Sequence, residues 1–525
     1  MLAPPPPDTL MRELADALAA ASFTAGSVAD HLGPDATNAL FRGEPGVVAA
    51  ATRSGTRLDG LIRFLLLRMP ATRAQLDDLF GHRLGRSLVD SSFVTQSSPS
   101  DFVVNFDVRP HVIAGVDRII ISDRDASVTE LIPEHEHVLG VGAASVSLLS
   151  AAPVSPVSRV LDLGTGSGVQ AIAQANAAEV VVATDVHPRA LALAEATLAA
   201  NHVDSVELRQ GAWFLPVVGE RFDRIVANPP FVVGLPKIGH VYRDSGLSLD
   251  GATELVVSQA ADHLVDGGIA CILGAWVHTS EAAWATRVAS WLPPTGVSAW
   301  VLQRDVVDPG MYVSTWLKDE SIDPRSDTAR QRSAEWLDYF AEHDVNAVGF
   351  GWVFIQLTGQ SASEVTAEEL RHPFVDPLGP EAEEYFLRAA WLRHQSEEDI
   401  LNASYLIRPG VAIEDVQLAD TPEGMGFVPE VARVTRTDGP RFSHRIDAGF
   451  RAVLAGLHPG GLCLRDVVAL LAASQKIASL EQHQALETEV AAAVVDLIRH
   501  GIVIPAELAD LQCAQPPTAP GKAQR

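Results

Sequence analysis

The stretch VLDLGTGSG, residues 160–168, decides the fold that this sequence predicts. An apolar strand leads to Asp162, a loop with glycine at every second position follows, and GVQAIAQANA then predicts a helix. Glycine allows tight turns and lets the backbone approach a ligand closely. The spacing G-x-G-x-G differs from the G-x-G-x-x-G of dinucleotide-binding loops, and no Lys-Ser/Thr pair follows it, which excludes a Walker A phosphate loop.

Strands and helices alternate regularly from residue 157 to residue 358. This order predicts an α/β fold with a doubly wound, Rossmann-like sheet of seven strands. The second strand, VVVATD, ends in Asp185, 17 residues after Gly168. Because an acid at that strand tip can accept both hydroxyls of a ribose, the loop and Asp185 together predict a nucleoside cofactor. The alternatives are structural: Asp162 as a helix cap or loop ligand, and Asp185 as a cap of the helix that begins at Pro188.

The second motif is Asn228-Pro229-Pro230-Phe231, which directly follows the strand FDRIVA. The prolines stiffen the backbone, so the asparagine side chain projects from the strand end in a fixed orientation. Its carbonyl and the backbone carbonyl beside Pro229 can accept the two N–H groups of a planar amine or amide, while Phe231 offers a flat face for stacking. Orienting these N–H groups makes the nitrogen lone pair available for attack, without a strong base if the leaving group is good. The alternative is a rigid turn.

Together these residues resemble those of the class I S-adenosylmethionine-dependent methyltransferases, over about residues 140–360. More narrowly, they resemble the amino- and amide-N-methyltransferases with an (N/D/S)PP(Y/F) motif. That group includes the release-factor glutamine methyltransferases, the small-domain ribosomal RNA guanine methyltransferases and the N6-adenine methyltransferases.

The resemblance implies S-adenosylmethionine as the cofactor, with the glycines at its methionine end, Asp185 on its ribose and Val186 against its adenine. It also implies that Asn228 holds the target nitrogen. The candidate cofactor-binding residues are Asp162, Gly164, Thr165, Gly166, Gly168, Asp185, Val186 and Trp213. The candidate catalytic residues are Asn228, Pro229, Pro230 and Phe231, with Pro229 carrying the backbone carbonyl and Phe231 stacking.

Two positions depart from the pattern of this group. Its members often place an acid after the third strand to bind the adenine amino group, but Ala212 stands at that place here, which leaves backbone groups or Trp213 for the contact. Phe231 is more typical of the RNA guanine enzymes, whereas the glutamine enzymes usually have Tyr. The segments 211–214 and 240–246, in contrast, resemble the glutamine enzymes, so the substrate signal is mixed.

The connection 232–250 predicts a lip beside the transfer point. Its polar residues favour contact with a substrate, and the alternative is a solvated loop with Asp250 as a helix cap; the residues are Lys237, His240, Tyr242, Arg243 and Asp244. His135 and His137 share one face of an extended chain, but without a third ligand we predict no metal site.

The composition contributes mainly exclusions. With 66 acidic and 39 basic residues the formal net charge is −27, and such a surface repels phosphate backbones, which excludes a nonspecific coat of nucleic acid. Residues 53–86 carry seven arginines and three aspartates, a locally positive region. Three separated cysteines exclude a disulfide framework or a CxxC zinc cluster. No apolar run approaches the ~20 residues of a membrane span, and we expect a cytoplasmic protein.

Mainly helical, winged-helix-like domains are predicted on both sides of the sheet. Residues 58–80 predict two helices broken at Pro70, residues 84–94 a third, and residues 101–113 and 117–123 a strand pair, an order that is typical of a winged helix. Such modules bind nucleic acid, but many serve only for dimerisation or packing. Residues 447–457, 464–474 and 486–504 predict three helices that run into a short strand. We predict five regions: an N-terminal winged-helix-like domain (1–138), the methyltransferase domain (139–360), an acidic helical extension (361–440), a small helical domain (441–515) and a disordered tail (516–525).

The predicted function is methyl transfer from S-adenosylmethionine to a planar amino or amide nitrogen of a macromolecule. The favoured substrate is an exocyclic base amine of ribosomal or other RNA or of DNA, with the arginines of 53–86 as the anchor. The alternative is the side-chain amide of a protein glutamine, on a translation factor such as a release factor. A third hypothesis is a cofactor-binding protein without catalysis, against which the intact motif at 228–231 argues.

Overall fold

The computed structural model describes residues 3–124, 135–236, 244–320, 322–370, 372 and 377–513, with only the backbone described for 510–513. The chain divides into two compact units, Met1–Leu370 and Arg371–Arg525. Within the described residues, none of the helices has the length and apolar character needed to cross a membrane.

The first unit begins with a helical region that ends in a hairpin. Leu61, Ile62, Leu65 and Leu66 are all buried, because their helical spacing places them on one apolar face. The elements are α1 (Asp8–Ala20), α2 (Ala25–Phe41), α3 (Pro45–Ala51), α4 (Arg57–Leu61), a π-helical turn (Ile62–Leu66), β1 (Ala71–Thr72), α5 (Arg73–Asp90), β2 (Val94–Gln96), β3 (Asp101–Val104), β4 (Asp107–Ile113) and β5 (Val116–Ser122).

The helix order and the strand pair match the winged-helix-like prediction, with two differences in detail. The predicted second and third helices form a single element, α5, which is kinked at Gly81 where φ is +77°. The predicted long strand over 101–113 divides into β3 and β4, since β3 pairs with β1 and β2 while β4 pairs with β5.

A large sheet with helices between its strands fills the rest of the first unit. Its elements are α6 (Ala143–Ala151), β6 (Val157–Leu163), α7 (Val169–Gln174), β7 (Ala178–Asp185), α8 (Pro188–Ala200), β8 (Val206–Gln210), β9 (Phe222–Ala227), α9 (Gly251–Ala260), β10 (Leu264–His278), α10 (Trp284–Ser290), β11 (Val297–Val307), α11 (Pro309–Asp319), α12 (Asp327–Glu342), β12 (Ala347–Leu357) and β13 (Glu364–Glu369).

The strand order is β13-β11-β12-β10-β9-β6-β7-β8, and every neighbouring pair is parallel except the two that involve β12. The predicted α/β class and doubly wound sheet are confirmed, but the number of strands is eight rather than seven. The extra strand, β13, pairs in parallel with Ser298–Gln303 of β11. Its sequence, EVTAEE, is too acidic to indicate a buried strand, and an edge strand tolerates such residues because one side faces solvent.

The parallel arrangement determines where a site can form. The carboxyl ends of β6, β7 and β9 lie side by side at one edge of the sheet, because β6 pairs in parallel with both other strands. In open α/β sheets, ligands bind at this edge. The glycine loop, Asp185 and the Asn-Pro-Pro-Phe motif each begin at one of these three strand ends.

The second unit combines helices with a long antiparallel hairpin. Its elements are α13 (Gly379–Arg393), α14 (Glu397–Asn402), β14 (Tyr405–Ile407), β15 (Val411–Ala419), β16 (Phe427–Arg436), β17 (Ser443–Ile446), α15 (Ala448–Gly456), α16 (Leu464–Ser474), α17 (Leu480–Arg499), β18 (Val503–Pro505) and α18 (Ala506–Cys513).

The three helices predicted after residue 441 and the short strand after them are confirmed. The helical prediction for 361–440 is wrong for residues 364–369, which form β13, and for its second half, where β15 and β16 pair over their whole length. The acidic residues there are interspersed with β-branched residues, which favour strands, such as Val416, Val431 and Val434. The predicted tail, 516–525, lies outside the described residues.

A buried ion cluster stabilises the second unit. Glu381 pairs with Arg388 at 2.7 Å and with Arg436 at 2.6 Å, and all three side chains are at most 4% exposed. Burial opposes ionisation of Glu381, but the charges of Arg436 and Arg388 outweigh it and lower the pKa of Glu381 to about 2. The cluster therefore supplies its own counter-charges.

Candidate functional site

The glycine loop forms the turn between β6 and α7. Gly164, Gly166 and Gly168 have φ angles of +78°, +56° and +85°, in the left-handed region that favours glycine. The N–H of Gly164 donates to the carbonyl of Thr184 at 3.0 Å, which ties the loop to β7. A Cβ on Gly168 would lie 3.3 Å from the Cα of Ala194, so close packing on α8 also requires glycine there.

Asp185 lies at the carboxyl end of β7 and faces the loop. Its Oδ2 accepts the N–H of Gly166 at 3.0 Å, and its Oδ1 accepts the N–H of His187 at 2.9 Å. The backbone N–H of Val186 also favours its ionised form. An ionised carboxylate has about four lone-pair sites, so acceptor capacity remains for a ligand hydroxyl. Burial raises the pKa of Asp185, and the backbone N–H groups of His187 and Gly166 oppose that shift.

Asp162 lies beneath the loop and is 1% exposed. Its Oδ2 accepts a hydrogen bond of 2.6 Å from Oγ1 of Thr165, which is itself buried. Burial raises the pKa of Asp162 to about 7; the bond from Thr165 lowers it, and the charge of Asp185 raises it further. No cationic side chain contributes to this shift, so an incoming positive charge would favour the ionised form.

The strand end beyond Asp185 presents apolar surface and backbone groups. Val186 is 53% exposed, and the N–H of Gly211 donates to the carbonyl of Asp185 at 3.0 Å, which brings the end of β8 beside it. Trp213 is half-buried, with its backbone at φ +52°. The amide of Gln210 donates to the carbonyl of Val186 at 3.3 Å. Polar contacts at this edge therefore come from the backbone and Gln210, where related enzymes often have an acid.

The Asn-Pro-Pro-Phe motif begins one residue after β9. A Cβ on Gly164 would lie 3.8 Å from the backbone carbonyl oxygen of Asn228, so the motif borders the glycine loop. Asn228 is half-buried, and its side chain makes no hydrogen bond within the part of the chain that the structure describes. Pro229 is buried, while Phe231 is half-buried and packs against an apolar cluster. The asparagine amide is thus held at the sheet edge and is available to a ligand.

Some residues near the site were not predicted from the sequence. Oγ of Ser167 donates to the carbonyl of Leu139 at 2.9 Å, which fixes residues 135–142 across the loop. Arg189, in the first turn of α8, forms an ion pair with the buried carboxylate of Asp123. These contacts join positions far apart in the sequence, and only the position of Ser167 within the glycine loop gave a signal.

Most arginines of 53–86 have internal partners. Backbone carbonyls accept from Arg57, Arg63 and Arg68, while Arg73 pairs with Asp77 and Arg83 pairs with Glu13. A bond to a backbone carbonyl does not neutralise a guanidinium, so of these contacts only the two with Asp77 and Glu13 offset positive charge.

The structure describes only part of the predicted lip, the segment 232–250. Residues 237–243, and with them Lys237, His240, Tyr242 and Arg243, lie outside the described residues. Asp250 is buried and accepts two hydrogen bonds from Arg287. His135 is exposed while His137 is buried, so the two do not share one exposed face. Across the described ranges, no three His, Cys, Asp or Glu side chains are grouped so as to hold a metal ion.

A family model described as the methyltransferase small domain matches residues 139–275. Two further models, both for domains of unknown function, match residues 20–104 and 383–505. The central region of the chain is therefore a class I S-adenosylmethionine-dependent methyltransferase domain, and S-adenosylmethionine is its cofactor.

Several proteins are similar to this region. A release factor glutamine methyltransferase of Aliivibrio fischeri is 45% identical over 80 residues, which is 14% of this chain and 28% of that protein. A ribosomal protein uL3 glutamine methyltransferase of Bradyrhizobium diazoefficiens is 29% identical over 242 residues, 42% of this chain and 73% of that protein. A 16S rRNA N2 G1207 methyltransferase of T. thermophilus, solved with AdoMet and guanosine, is 18% identical with a TM-score of 0.27, over 45% of this chain and 64% of that one. The chain thus spans under a third of the length of the Aliivibrio relative.

The residues of the site fit this cofactor. Asp185 keeps acceptor capacity for a ribose hydroxyl, and Val186 offers exposed apolar surface beside it for an adenine ring. The acidic pair of Asp162 and Asp185 suits a cationic sulfonium. The glycine loop leaves backbone groups accessible, since Gly164 is exposed.

Proposed function

We propose that this protein transfers a methyl group from S-adenosylmethionine to a planar nitrogen of a macromolecule. One observation carries the proposal: a single sheet edge brings together the glycine loop, Asp185 and Asn228, joined by the Gly166–Asp185 bond and the contact between Gly164 and Asn228. The same geometry supports the roles given to the candidate residues, with Asp162, Thr165 and Trp213 on the cofactor side.

The chain's own residues would orient the acceptor. The side-chain carbonyl of Asn228 and the backbone carbonyl of Pro229 each accept one N–H of the target, and Phe231 stacks on its plane. This arrangement directs the nitrogen lone pair towards the methyl group. A bound cofactor would supply the methyl group, its carbon–sulfur bond breaking as the carbon–nitrogen bond forms and S-adenosylhomocysteine leaving, and the nitrogen would release its proton to water. Orientation supplies most of the rate enhancement.

The favoured substrate class is the side-chain amide of a protein glutamine. Relatives named for that activity match part of this chain, and one of them is covered over 73% of its length. The net charge of −27 also supports a protein substrate, because such a surface repels phosphate backbones. We expect the reaction to take place in the cytoplasm.

An exocyclic base amine is the second candidate. Phe231 favours it, since phenylalanine at that position is more typical of the RNA guanine enzymes. A primary amine on an aromatic ring and a carboxamide present the same pair of in-plane N–H groups, so Asn228 and Pro229 suit both.

The test uses extract from cells that lack this protein, supplied with methyl-labelled S-adenosylmethionine and the purified chain. We expect label in macromolecules that resists RNase and DNase but is released by protease. Release by RNase or DNase would instead identify a base amine as the acceptor. Absence of label in all fractions, with cofactor binding intact by calorimetry, would contradict catalysis and leave a cofactor-binding protein.

A further inference from the structure

Two helices are inserted between β11 and β12. Residues 308–346, here called the helical insertion, contain α11 and α12. These residues lie between the family-model match that ends at residue 275 and the match that begins at residue 383. Because β11 runs parallel to β10 and β9, the insertion begins at the same carboxyl edge as the candidate site.

The insertion contacts the segment that carries Asn228, residues 228–235, here called the acceptor loop. The hydroxyl of Tyr312 in α11 accepts the N–H of Val233 at 2.6 Å. Tyr312 is 1% exposed and Val233 is fully buried, so water cannot replace this bond. Pro229 and Pro230 carry no N–H, which makes Val233 one of the few backbone donors that can hold the loop near Asn228.

A second contact fixes the next residue. A Cβ on Gly234 would lie 2.9 Å from Nε1 of Trp336 in α12, so the backbone of Gly234 packs directly on the indole. On its other side, the carbonyl of Gly234 accepts the N–H of Leu249 at 3.0 Å. The loop is therefore clamped between Trp336 and the segment before α9.

The two helices of the insertion pack on each other and on β12. The ring of Tyr312 stacks on Phe350 of β12 with centroids 5.7 Å apart, and it meets Trp336 edge-on at 6.1 Å. Arg332 of α12 donates to the buried carboxylate of Glu320 at the end of α11, with one bond of 2.9 Å. Packing of this kind can hold a loop within the narrow tolerance that group transfer requires.

We propose that the helical insertion sets the position of the acceptor loop, with Tyr312 as its main positioning residue. The inference rests on the proposed function, since it assigns to the insertion the alignment of Asn228 with the nitrogen that receives the methyl group. Tyr312 acts through the backbone of Val233 and does not touch the substrate.

The main test is Tyr312→Phe, which removes the hydroxyl and keeps the ring. We expect hydrogen exchange in peptides covering 228–236 to be at least about tenfold faster, because the Val233 amide loses its partner. Label transfer to extract should fall between about tenfold and 100-fold, while S-adenosylmethionine affinity stays within about twofold.

The matched control is Tyr405→Phe in the second unit. Tyr405 is fully buried, and its hydroxyl donates to the carbonyl of Ile400 at 2.7 Å. The control variant therefore loses a buried hydrogen bond similar in length to the one between Val233 and Tyr312. It should leave label transfer and exchange at 228–236 unchanged. If both variants lost transfer equally, general destabilisation of the protein would explain the effect of Tyr312→Phe. That result would overturn the proposal.

Gly234→Ala provides a second variant that retains Tyr312. The added methyl would displace the loop from Trp336, so transfer should fall while the cofactor still binds. Gly46→Ala is its control, since a Cβ at this exposed helical glycine meets nothing within 4 Å. Full transfer by Gly234→Ala would contradict the clamp.

The two hypotheses fail differently. Unchanged exchange at 228–236 in Tyr312→Phe overturns the positioning role even if the wild type is an active methyltransferase. Faster exchange with undiminished transfer overturns it as well, because the loop would then be free without consequence. If the wild-type chain labels nothing while binding the cofactor, the proposed function fails, and with it the role in methyl transfer, even where exchange confirms the contact with Val233.

Discussion

Two buried carboxylates in this molecule have opposite electrostatic properties. Asp162, under the glycine loop, is 1% exposed and has a pKa raised to about 7. Glu381, in the second unit, is 4% exposed and has a pKa lowered to about 2. Burial disfavours both anions, and the difference lies in their partners: a threonine hydroxyl for Asp162, two arginines for Glu381.

The two carboxylates differ in role: Glu381 stabilises the second unit, whereas Asp162 lies in the candidate binding site. The cluster of Glu381 is complete, since its counter-charges belong to the chain. Among the described residues, the acids at the sheet edge form no ion pair with an arginine: Asp162 is bonded to Thr165, and Asp185 accepts from backbone N–H groups while the charge of His187 lowers its pKa. Acids whose burial is not fully compensated by neighbouring charges are typical of binding sites. Here such acids lie beside the glycine loop and Asn228.

Breaking the complete cluster should have the largest effect. Glu381→Gln leaves Arg388 and Arg436 buried without a full counter-charge and should cost about 3–5 kcal/mol of unfolding free energy. The change can be measured by urea unfolding, with hydrogen exchange of peptides from 377–509 as the local probe. Glu398→Gln, which removes the exposed partner of Arg465, is the control and should change little.

The pH dependence of this variant follows from the sign of the shift. Unfolded Glu381 would bind a proton near pH 4.5, whereas the folded chain resists protonation down to about pH 2. The stabilisation is therefore present above pH 4.5 and is lost as the pH falls towards 2. Glu381→Gln should not show this loss of stability at acid pH. An equal loss of stability in both proteins as the pH falls would refute the lowered pKa of Glu381.

Replacing Asp162 by a neutral residue should change the free energy of unfolding less than Glu381→Gln does, and it should raise it rather than lower it. Unfolded Asp162 releases its proton near pH 3.8, but the folded chain keeps it up to about pH 7, so the cofactor-free protein loses stability as the pH rises between these values. Asp162→Asn should remove this dependence and gain about 2–4 kcal/mol at pH 8. Asp262→Asn, at an exposed position, is the control, and an Asp162→Asn curve parallel to the wild type would contradict the account.

The smallest of the three effects concerns the cofactor. Asp185→Ala removes the proposed ribose acceptor and the bond to Gly166, and should weaken S-adenosylmethionine binding about 10- to 100-fold. Isothermal titration calorimetry measures this directly, with Asp262→Ala as the exposed control. Unchanged affinity would remove Asp185 from the cofactor site.

The sequence predicted the parts of the site that depend on short segments. The glycine loop, Asp185 and Asn228 each follow an apolar strand, so the parallel sheet places them together once the fold is recognised. The contact of Tyr312 with Val233 joins residues far apart in the chain, and no local pattern indicates it. The strands β13, β15 and β16 were missed for another reason: they are acidic or largely exposed, and pairing rather than an apolar face defines them.

The most direct test of the central claim compares the wild-type chain with Asn228→Ala in the labelled extract. Transfer should fall at least about 100-fold in the variant, because the target nitrogen is no longer oriented, while calorimetry should show S-adenosylmethionine affinity within about twofold of wild type. Transfer that survives in Asn228→Ala at close to the wild-type rate would show that the methyl group is delivered elsewhere.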